Sequence, residues 1–266
     1  MKLAVCEFPD ETGRKEAAWN TLKVDVVNAQ PDILVMPEMP FCSWIFAGAT
    51  FDATAWRDAL DIHDRMIERL PTLGVSWVIS SRPIERDGKR LNEAFVWSRD
   101  GGYRGIRSKW YLPDAAVARE TTWFNQGDRN FTPTKVAGAL VGIQLCSETM
   151  YPEWARELGV KGAQLIAQPR AATAHKLWSV AAEMSAVSSG CFIATANRRT
   201  FDKDWFPGGS TIVSPDAKLL AETTVDKTFA AVEIDLANAD QARERYPRSL
   251  YRLYHESGKA QDRPAT

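Results

Sequence analysis

The four cysteines are the strongest nucleophiles in this sequence, and their surroundings separate one of them from the rest. Cys6 and Cys191 lie within apolar runs that predict buried strands, and Cys42 lies in a loop. Cys146 directly follows the apolar run 142–145 and precedes small polar residues and a predicted helix. A turn between a strand and a helix presents a side chain above the sheet edge and directs backbone N–H groups towards the atom that a thiol attacks. Cys146 is therefore the candidate nucleophile; the alternative is a buried core cysteine.

A catalytic cysteine needs an activating partner, and histidine is the usual one. The chain has three histidines: His63 in a predicted helix, His255 in the polar C-terminal tail and His175 after a predicted strand. Only His175 leaves a Cys–His pair open, although a surface position is the ordinary explanation for it. Otherwise a carboxylate and a cation must activate the thiol.

Glu38 and Lys109 supply such a pair at the ends of two other predicted strands. Glu38 follows the apolar run 32–36 and Pro37, where a carboxylate is costly unless it is paired or functional. Lys109 ends the strand 105–109. Each of them alone is an ordinary charge at a strand end. Together with the cysteine they occupy three strand ends of an α/β chain, and we expect them to converge on one crevice.

Short apolar runs that alternate with helical stretches carry these strand ends. The alternation predicts an α/β fold in which two sheets form the core and helices cover both outer faces. One domain over residues 1–266 fits better than two, because no linker, repeat or low-complexity segment divides the chain, and a polar tail begins at about residue 252. Helices are predicted at 16–29, 54–70, 152–158 and 176–188, and strands at 2–8, 32–36, 77–81, 91–98, 102–109, 135–145, 164–167, 191–196, 210–214, 219–223 and 229–234.

The charge balance excludes several classes of partner. The 33 basic and 34 acidic residues give a net charge of −1 with no long run of either sign, which argues against a nucleic-acid or membrane surface. No apolar run approaches the roughly 20 residues that cross a bilayer, and the first residues predict a strand instead of a signal peptide. The widely spaced cysteines indicate neither a disulfide framework nor a zinc site. We expect a cytoplasmic protein that acts on a small molecule.

Three segments resemble, in order, the glutamate, lysine and cysteine motifs of the nitrilase superfamily. They are Pro37-Glu-Met-Pro40, Ser108-Lys-Trp-Tyr-Leu-Pro113 and Leu145-Cys-Ser-Glu-Thr-Met-Tyr-Pro-Glu-Trp-Ala-Arg156. Residues 208–216 and 232–236 are also similar to late segments of the family. The resemblance implies a four-layer α-β-β-α sandwich and hydrolysis of a carbon–nitrogen bond. It also implies a homodimer or larger homo-oligomer that pairs through outer helices, with residues 151–158 and the C-terminal tail as the expected contacts.

The resemblance assigns roles to the candidate residues. Cys146 would attack a carbonyl or nitrile carbon, and Glu38 would accept the thiol proton, return it to the departing ammonia and then activate water. Lys109 would favour the thiolate and stabilise the oxyanion. Glu120 matches a second glutamate of many members, which holds the lysine and polarises substrate or water; the alternative is a solvated loop charge. These side chains suffice for the chemistry, so we expect no metal and no cofactor.

Two departures from strict nitrilases favour an amide over a nitrile as the substrate. Nitrilases usually carry tryptophan directly after the cysteine, where this chain has Ser147. They also usually have a long C-terminal extension, which we do not expect in this shorter chain. The carbamoyl-amino-acid hydrolases of the superfamily bind a carboxylate through arginines close behind the cysteine, and Thr149 and Met150 do not supply them. The leading interpretation is an amidase that releases ammonia through a thioester. The alternatives are a nitrilase that forms a thioimidate, an acyltransferase, and a non-catalytic binding protein on the same fold.

Four residues near these motifs are candidates for binding the substrate. The chain has ten tryptophans, and Trp44 and Trp123 follow the two glutamate segments, where they could line an apolar pocket or pack the scaffold. Arg170 could bind an anionic group of the substrate or tie down loop carbonyls. Ser147, next to the nucleophile, is the fourth candidate.

Overall fold

The predicted alternation of strands and helices is present in the structure, a computed structural model that describes residues 1–115, 118–174, 176–202 and 205–251. The strands are β1 (Lys2–Cys6), β2 (Phe8–Pro9), β3 (Ile33–Val35), β4 (Trp77–Arg86), β5 (Lys89–Ser98), β6 (Gly102–Ser108), β7 (Asp114–Ala115), β8 (Ala118–Arg119), β9 (Thr134–Val136), β10 (Ala139–Ile143), β11 (Leu165–Arg170), β12 (Phe192–Arg199), β13 (Thr211–Val213), β14 (Leu219–Glu222) and β15 (Phe229–Glu233). The helices are α1 (Lys15–Ala29), α2 (Ala53–Arg69), α3 (Glu120–Trp123), α4 (Pro152–Val160), α5 (Leu177–Ser189) and α6 (Ala237–Glu244).

Two sheets contain most of these strands, and each sheet includes three parallel ones. The first sheet has the order β15-β1-β3-β4-β5-β6, in which β1, β3 and β4 are parallel. The second has the order β14-β13-β12-β11-β10-β9, in which β10, β11 and β12 are parallel and β2 pairs with β12. Because β5 is antiparallel to both β4 and β6, β6 runs in the same direction as β3. The carboxyl ends of β3 and β6 therefore lie at one edge of the first sheet, and those of β10 and β11 at one edge of the second.

Alternating side chains along the strands build three apolar layers. Leu3 and Val5 of β1 belong to the layer between the two sheets, together with Val141 of β10. Their neighbours Ala4 and Cys6 pack in a second layer with residues of α1 and α2. A third layer joins the outer face of the second sheet to α4 and α5. This order of helix, sheet, sheet and helix confirms the predicted four-layer α-β-β-α sandwich.

Two parts of the chain have no counterpart in the sequence patterns. Helix α6 lacks apolar periodicity because its buried side chains are the alanines Ala239 and Ala242. The segment after β6, expected as a loop, contains the antiparallel pair β7 and β8 and the single turn α3, which begins at Glu120. Small side chains and short elements leave little periodic signal in a sequence.

Some of the sequence predictions fall beyond the described residues. His175, His255 and the polar tail from about residue 252 lie outside them, and so does the expected contact of that tail with a partner. Within the described segments, no helix has both the length and the apolar character that a membrane span requires. The cytoplasmic location and the single domain over residues 1–266 stay predictions.

Candidate active site

Three charged side chains form one buried cluster at the edge of the first sheet. Lys109, directly after β6, donates from Nζ to Oε1 of Glu38 at 2.9 Å and to both carboxylate oxygens of Glu120 at 2.8 Å. The side chains of Glu38 and Lys109 are 0% exposed, and that of Glu120 is 1% exposed. Buried charges are costly unless they are paired, and here one ammonium is shared by two carboxylates. Glu120 is therefore not a solvated loop charge.

Glu38 is held by the backbone and by two further side chains. Its N–H donates to the carbonyl of Arg170 at 3.3 Å, and Arg198 of β12 donates to the carbonyl of Glu38 at 3.1 Å. Asn92 of β5 donates from Nδ2 to Oε1 of Glu38 at 2.8 Å, so this oxygen accepts two hydrogen bonds. The other oxygen, Oε2, is buried and has no hydrogen-bond partner among the described residues. Oε2 is thus available to accept a proton.

Cys146 lies after β10, at the turn into α4, where the sequence predicts it. Its φ is +42°, in the left-handed region, which costs a residue with a side chain about 1–2 kcal/mol. Strain of this kind is concentrated at functional sites. The residue is 5% exposed, and the backbone N–H of Ala171, just after β11, lowers the pKa of its thiol against the larger effect of burial.

The thiol of Cys146 is protonated at rest. Burial raises its pKa well above the ordinary value, the charge of Glu38 raises it further, and the charge of Lys109 opposes both. Because charge interactions weaken with distance, their effect on this thiol indicates that Glu38 and Lys109 lie near Cys146. The thiolate is the reactive form of cysteine, so a reaction at this sulfur requires a base that removes the proton.

A buried ion pair joins the cysteine turn to the lysine strand. Glu148 accepts hydrogen bonds from Nη1 and Nη2 of Arg107, at 2.5 and 2.8 Å. The same carboxylate accepts the backbone N–H groups of Leu145 and Trp110, each at 2.8 Å. Leu145 directly precedes the nucleophile and Trp110 directly follows the lysine. One carboxylate therefore fixes the separation of these two functional groups.

Burial and mutual charge set the protonation of the lysine and its second glutamate. Burial lowers the pKa of Lys109, but the charges of Glu120 and Glu38 outweigh this effect and raise the pKa above its ordinary value. Burial raises the pKa of Glu120 to about 7, the charge of Lys109 opposes the rise, and Glu38 adds to it. Lys109 is therefore an ammonium at neutral pH, whereas Glu120 changes its charge there.

Comparison with known proteins gives the family of this chain. The family model for carbon–nitrogen hydrolases matches residues 10–244. The chain belongs to the carbon–nitrogen hydrolase family. This membership confirms the predicted superfamily and the predicted class of enzyme.

Several relatives of this carbon–nitrogen hydrolase are amidases by name. The omega-amidase NIT2 of Xenopus tropicalis is 27% identical over 194 residues, which are 69% of this chain and 70% of the relative. The citrullinase of Francisella tularensis is 25% identical over 177 residues, 64% of this chain and 61% of the relative. A carbon–nitrogen hydrolase from Helicobacter pylori, 21% identical, superposes with a TM-score of 0.84 over 100% of this chain and 99% of its own. An amidase from Nesterenkonia sp., 20% identical, gives a TM-score of 0.74 over 96% of both chains. These two likenesses show the fold.

The two tryptophans predicted to bind substrate lie in one aromatic cluster of the hydrolase. Both contact Phe46 edge-on, with ring centroids 5.1 Å away for Trp44 and 5.7 Å for Trp123. The indole N–H of Trp123 donates to the carbonyl of Gly48 at 2.9 Å. These contacts are those of scaffold packing, and contact of either ring with a substrate stays a prediction.

Ser147 and Arg170, the other two binding candidates, both contact backbone carbonyls. The hydroxyl of Ser147 donates to the carbonyl of Tyr111 at 2.6 Å, which holds the loop that follows the lysine. Arg170 is the last residue of β11, is 4% exposed and donates from Nη1 to the carbonyl of Trp178 at 3.2 Å. Binding of substrate by these residues stays a prediction.

Four residues of the site were missed by reasoning from the sequence. Asn92, Arg107 and Arg198 lie within strands, and only the register of the sheets brings their side chains to the site. No local pattern marks such positions. Glu148 does carry a signal, because a glutamate three residues after the start of a helical turn commonly accepts the N–H of the capping residue.

The ion pair behind the nucleophile can be tested with Arg107→Met. The change leaves Glu148 buried without its cation, so we expect the free energy of unfolding to fall by about 3–5 kcal/mol and the hydrolase activity to fall with it. Urea denaturation measures the first quantity. Arg65→Met alters an exposed arginine of α2 and should change stability by less than about 0.5 kcal/mol. Equal stability of the two variants would show that the pair does not hold the site together.

The raised pKa of Glu120 can be tested with Glu120→Gln. The pKa of this carboxyl is about 7 in the folded protein, and that of an unfolded glutamate is about 4.3. The folded state binds the proton more tightly, so the stabilisation is fully present below the unfolded pKa and is lost as the pH rises through 7. We expect the unfolding free energy of the wild type minus that of the variant to fall by roughly 1–3 kcal/mol between about pH 4.5 and 7.5. A difference that stays constant or rises over this interval contradicts the assignment.

Proposed function

We propose that this carbon–nitrogen hydrolase cleaves the amide bond of a small molecule, with Cys146 as nucleophile, Glu38 as base and Lys109 as oxyanion donor. The observation that carries the proposal is the buried Oε2 of Glu38, which has no hydrogen-bond partner in the described segments, while Oε1 accepts two hydrogen bonds. A carboxylate oxygen left free in a site with a buried thiol is suited to take the thiol proton. The relatives named omega-amidase and citrullinase support an amide as the substrate.

The first half of the reaction forms a thioester. The thiol proton of Cys146 passes to Oε2 of Glu38 as the sulfur attacks the amide carbon, and the C=O double bond becomes a single bond to an oxyanion. Glu38 then gives the proton to the amide nitrogen, the C–N bond breaks, and ammonia leaves. Proton transfer and attack must be coupled because the raised pKa of the thiol leaves little thiolate beforehand.

Lys109 reaches the oxyanion by exchanging one of its present contacts. An ammonium has three N–H donors, and in the resting site three carboxylate oxygens already accept hydrogen bonds from Nζ. A substrate oxygen therefore replaces one oxygen of Glu120, while the other keeps the lysine in place. Loss of one donor to an oxyanion typically costs a factor of about 10²–10³ in kcat. Glu120 acts as a positioning residue in this scheme.

Water completes the reaction. Once ammonia has left, Glu38 is again a carboxylate and takes a proton from a water molecule whose oxygen attacks the thioester carbon. The resulting tetrahedral intermediate expels the sulfur, Glu38 returns a proton to it, and a carboxylic acid is released. The cycle ends with the thiol and the carboxylate in their initial protonation states, so it needs no redox partner.

Ammonia release tests the proposed reaction directly. A panel of aliphatic, aromatic and carboxylated amides with their matching nitriles is assayed with wild type, Cys146→Ala and Cys42→Ala. We expect release from at least one amide, complete loss in Cys146→Ala, and less than about a twofold change in Cys42→Ala, which alters a thiol away from the buried cluster. Hydroxylamine should divert the acyl group into a hydroxamate, as a thioester predicts.

Each other outcome of this panel points to a different function. Turnover of nitriles alone favours the nitrilase alternative with a thioimidate. Preferential transfer of the acyl group to an added amine favours an acyltransferase. No turnover of any compound contradicts the proposed hydrolysis and favours a binding protein on the same fold.

We also propose that the chain forms a homo-oligomer through the outer face of α5. Leu177, Val180, Met184 and Val187 are between 42% and 56% exposed. Their spacing of three and four residues places them on one face of the helix. A continuous apolar stripe of this kind is typical of a surface that another subunit covers. The stripe lies on a different helix from the predicted contact at 151–158.

The oligomer can be tested with Val180→Glu and the matched variant Val24→Glu, which alters a 59% exposed valine on α1. A carboxylate in a buried apolar interface is unfavourable, so we expect Val180→Glu to weaken self-association at least about tenfold. Val24→Glu should leave it unchanged. Sedimentation equilibrium over a range of protein concentrations gives the association constants. A monomeric wild type, or equal association of both variants, contradicts the proposal.

A further inference from the structure

Asn92 contacts both the proposed base and the lysine of the buried charged cluster. It lies within β5 and is 1% exposed. Its side-chain amide donates from Nδ2 to Oε1 of Glu38 at 2.8 Å. Its backbone carbonyl accepts the N–H of Lys109, also at 2.8 Å. The side chain and the main chain of one buried residue thus hold two members of the cluster.

Strands on both sides of β5 fix the position of this asparagine. On one side β5 pairs with β4, where Asn92 lies opposite Pro83. On the other side β5 pairs with β6 as far as Ser108, and the hydrogen bond from Lys109 extends that pairing by one residue. Glu38 itself lies in the loop that follows β3. Groups on interior strands are held more precisely than groups on loops, so the amide is the rigid partner and the carboxylate conforms to it.

The second polar atom of the asparagine argues against a purely structural role. Oδ1 of Asn92 is buried and has no hydrogen-bond partner among the described residues. A buried oxygen of this kind is destabilising, whereas an apolar side chain of similar shape would avoid the penalty. Within the described residues, the amide makes one hydrogen bond, and that bond goes to Glu38. A polar residue that lowers stability while it contacts a functional group is typical of a residue that serves a site.

Two donors on one oxygen make the carboxylate of Glu38 asymmetric. Oε1 accepts from Asn92 and from Lys109, while Oε2 has no partner in the described segments. The terminal torsion of a glutamate is soft, and a rotation about it would exchange the two oxygens. A lysine ammonium has three rotatable donors and can follow either oxygen. The planar amide donates in a fixed direction, so it is Asn92 that distinguishes Oε1 from Oε2.

We propose that Asn92 is a positioning residue that fixes the carboxylate of Glu38 and directs Oε2 towards the thiol of Cys146. The inference rests on the proposed function, in which Glu38 is the base. Without the amide donor, the carboxylate would also sample rotations in which the oxygen that faces the thiol is the one bound to Lys109. An oxygen that already accepts an ammonium N–H is a poorer proton acceptor, so attack by the sulfur slows while substrate binding stays unchanged.

Alkylation of Cys146 by iodoacetamide measures this proton transfer without a substrate. The sulfur forms a bond to the methylene carbon, iodide leaves, and the thiol proton passes to Glu38. The rate constant is followed by mass spectrometry of the peptide that contains Cys146, for wild type, Asn92→Leu, Asn92→Ala and Glu38→Gln. Thr195→Val is the matched control: it removes a buried hydroxyl of β12 that shares a hydrogen bond of 2.9 Å with the hydroxyl of Thr211.

We expect Asn92→Leu and Asn92→Ala to lower the alkylation rate constant by about 10–100-fold, and Glu38→Gln to lower it at least as far. Leucine nearly keeps the volume of the side chain and alanine leaves a cavity, so an equal loss in both variants follows from the missing donor and not from packing. Thr195→Val should keep the rate constant of the wild type. It should nevertheless lower the Tm, because the N–H of Thr211 loses its acceptor.

Three results of the alkylation experiment would overturn the proposal. The first is a rate constant within about twofold of the wild type in either variant of Asn92. The second is a loss of rate only in the Asn92 variant with the lower Tm, which would attribute the effect to packing. The third is a wild-type rate constant in Glu38→Gln, because Asn92 could not then act through this carboxylate.

Steady-state kinetics on an amide that the wild type hydrolyses separates positioning from binding. We expect Asn92→Leu to lower kcat by about 10–100-fold and to change KM by less than about threefold, because the asparagine contacts the base and not the substrate. A rise in KM at unchanged kcat contradicts the proposal, since it would make Asn92 a substrate-binding residue.

The two measurements together distinguish failure of this inference from failure of the proposed reaction. If no amide is hydrolysed but alkylation of Cys146 depends on both Asn92 and Glu38, the reaction is wrong and the positioning role stands. If amides are hydrolysed and Asn92→Leu leaves both alkylation and kcat unchanged, the positioning role is wrong and the reaction stands.

Discussion

A single buried ammonium shared by two carboxylates is the interaction on which this site depends. Lys109, Glu38 and Glu120 have almost no contact with solvent, so each charge is tolerable only because the others are present. The surrounding groups serve this cluster: Asn92 adds a donor to one carboxylate, and Arg198 holds the backbone that carries it. Within the described residues, the other oxygen of Glu38, Oε2, is left without a hydrogen-bond partner.

The functional groups come from both sheets, which explains the number of bonds that cross between them. Glu38 and Lys109 follow strands of the first sheet, whereas Cys146 follows a strand of the second. Arg198 reaches across to the carbonyl of the glutamate, and the pair of Arg107 with Glu148 links the lysine strand to the cysteine turn. These links fix the relative position of Glu38 and Cys146 more tightly than apolar packing alone could, because hydrogen bonds are directional.

The sequence sufficed for the layers and for the principal charged residues, for a physical reason. Buried strands are continuous apolar runs, so a charge that ends one, such as Glu38 or Lys109, is conspicuous. The resemblance to a known family added Glu120, which no strand pattern marks. Asn92 and Arg198 could not be found in this way, because the register of the neighbouring strands determines which residues a polar side chain inside a strand contacts. Helix α6 was missed since alanines bury little area and give no periodic contrast.

The alanines between the two sheets have a second role, because the residues of the site are divided between those sheets. Ala94 lies on the first sheet and Ala167, Ala194 and Ala196 on the second, all within the inter-sheet layer and fully buried. Their small size sets how closely the sheets approach, and Glu38 and Cys146, the proposed base and nucleophile, follow strands of different sheets. Substitution of these alanines by larger residues would therefore push the sheets apart. The separation of Glu38 from Cys146 would change before the fold was lost. The inter-sheet core therefore sets the distance between the sheets as well as stabilising them. The geometry of the site, and not stability alone, limits the size of the residues that this core accepts.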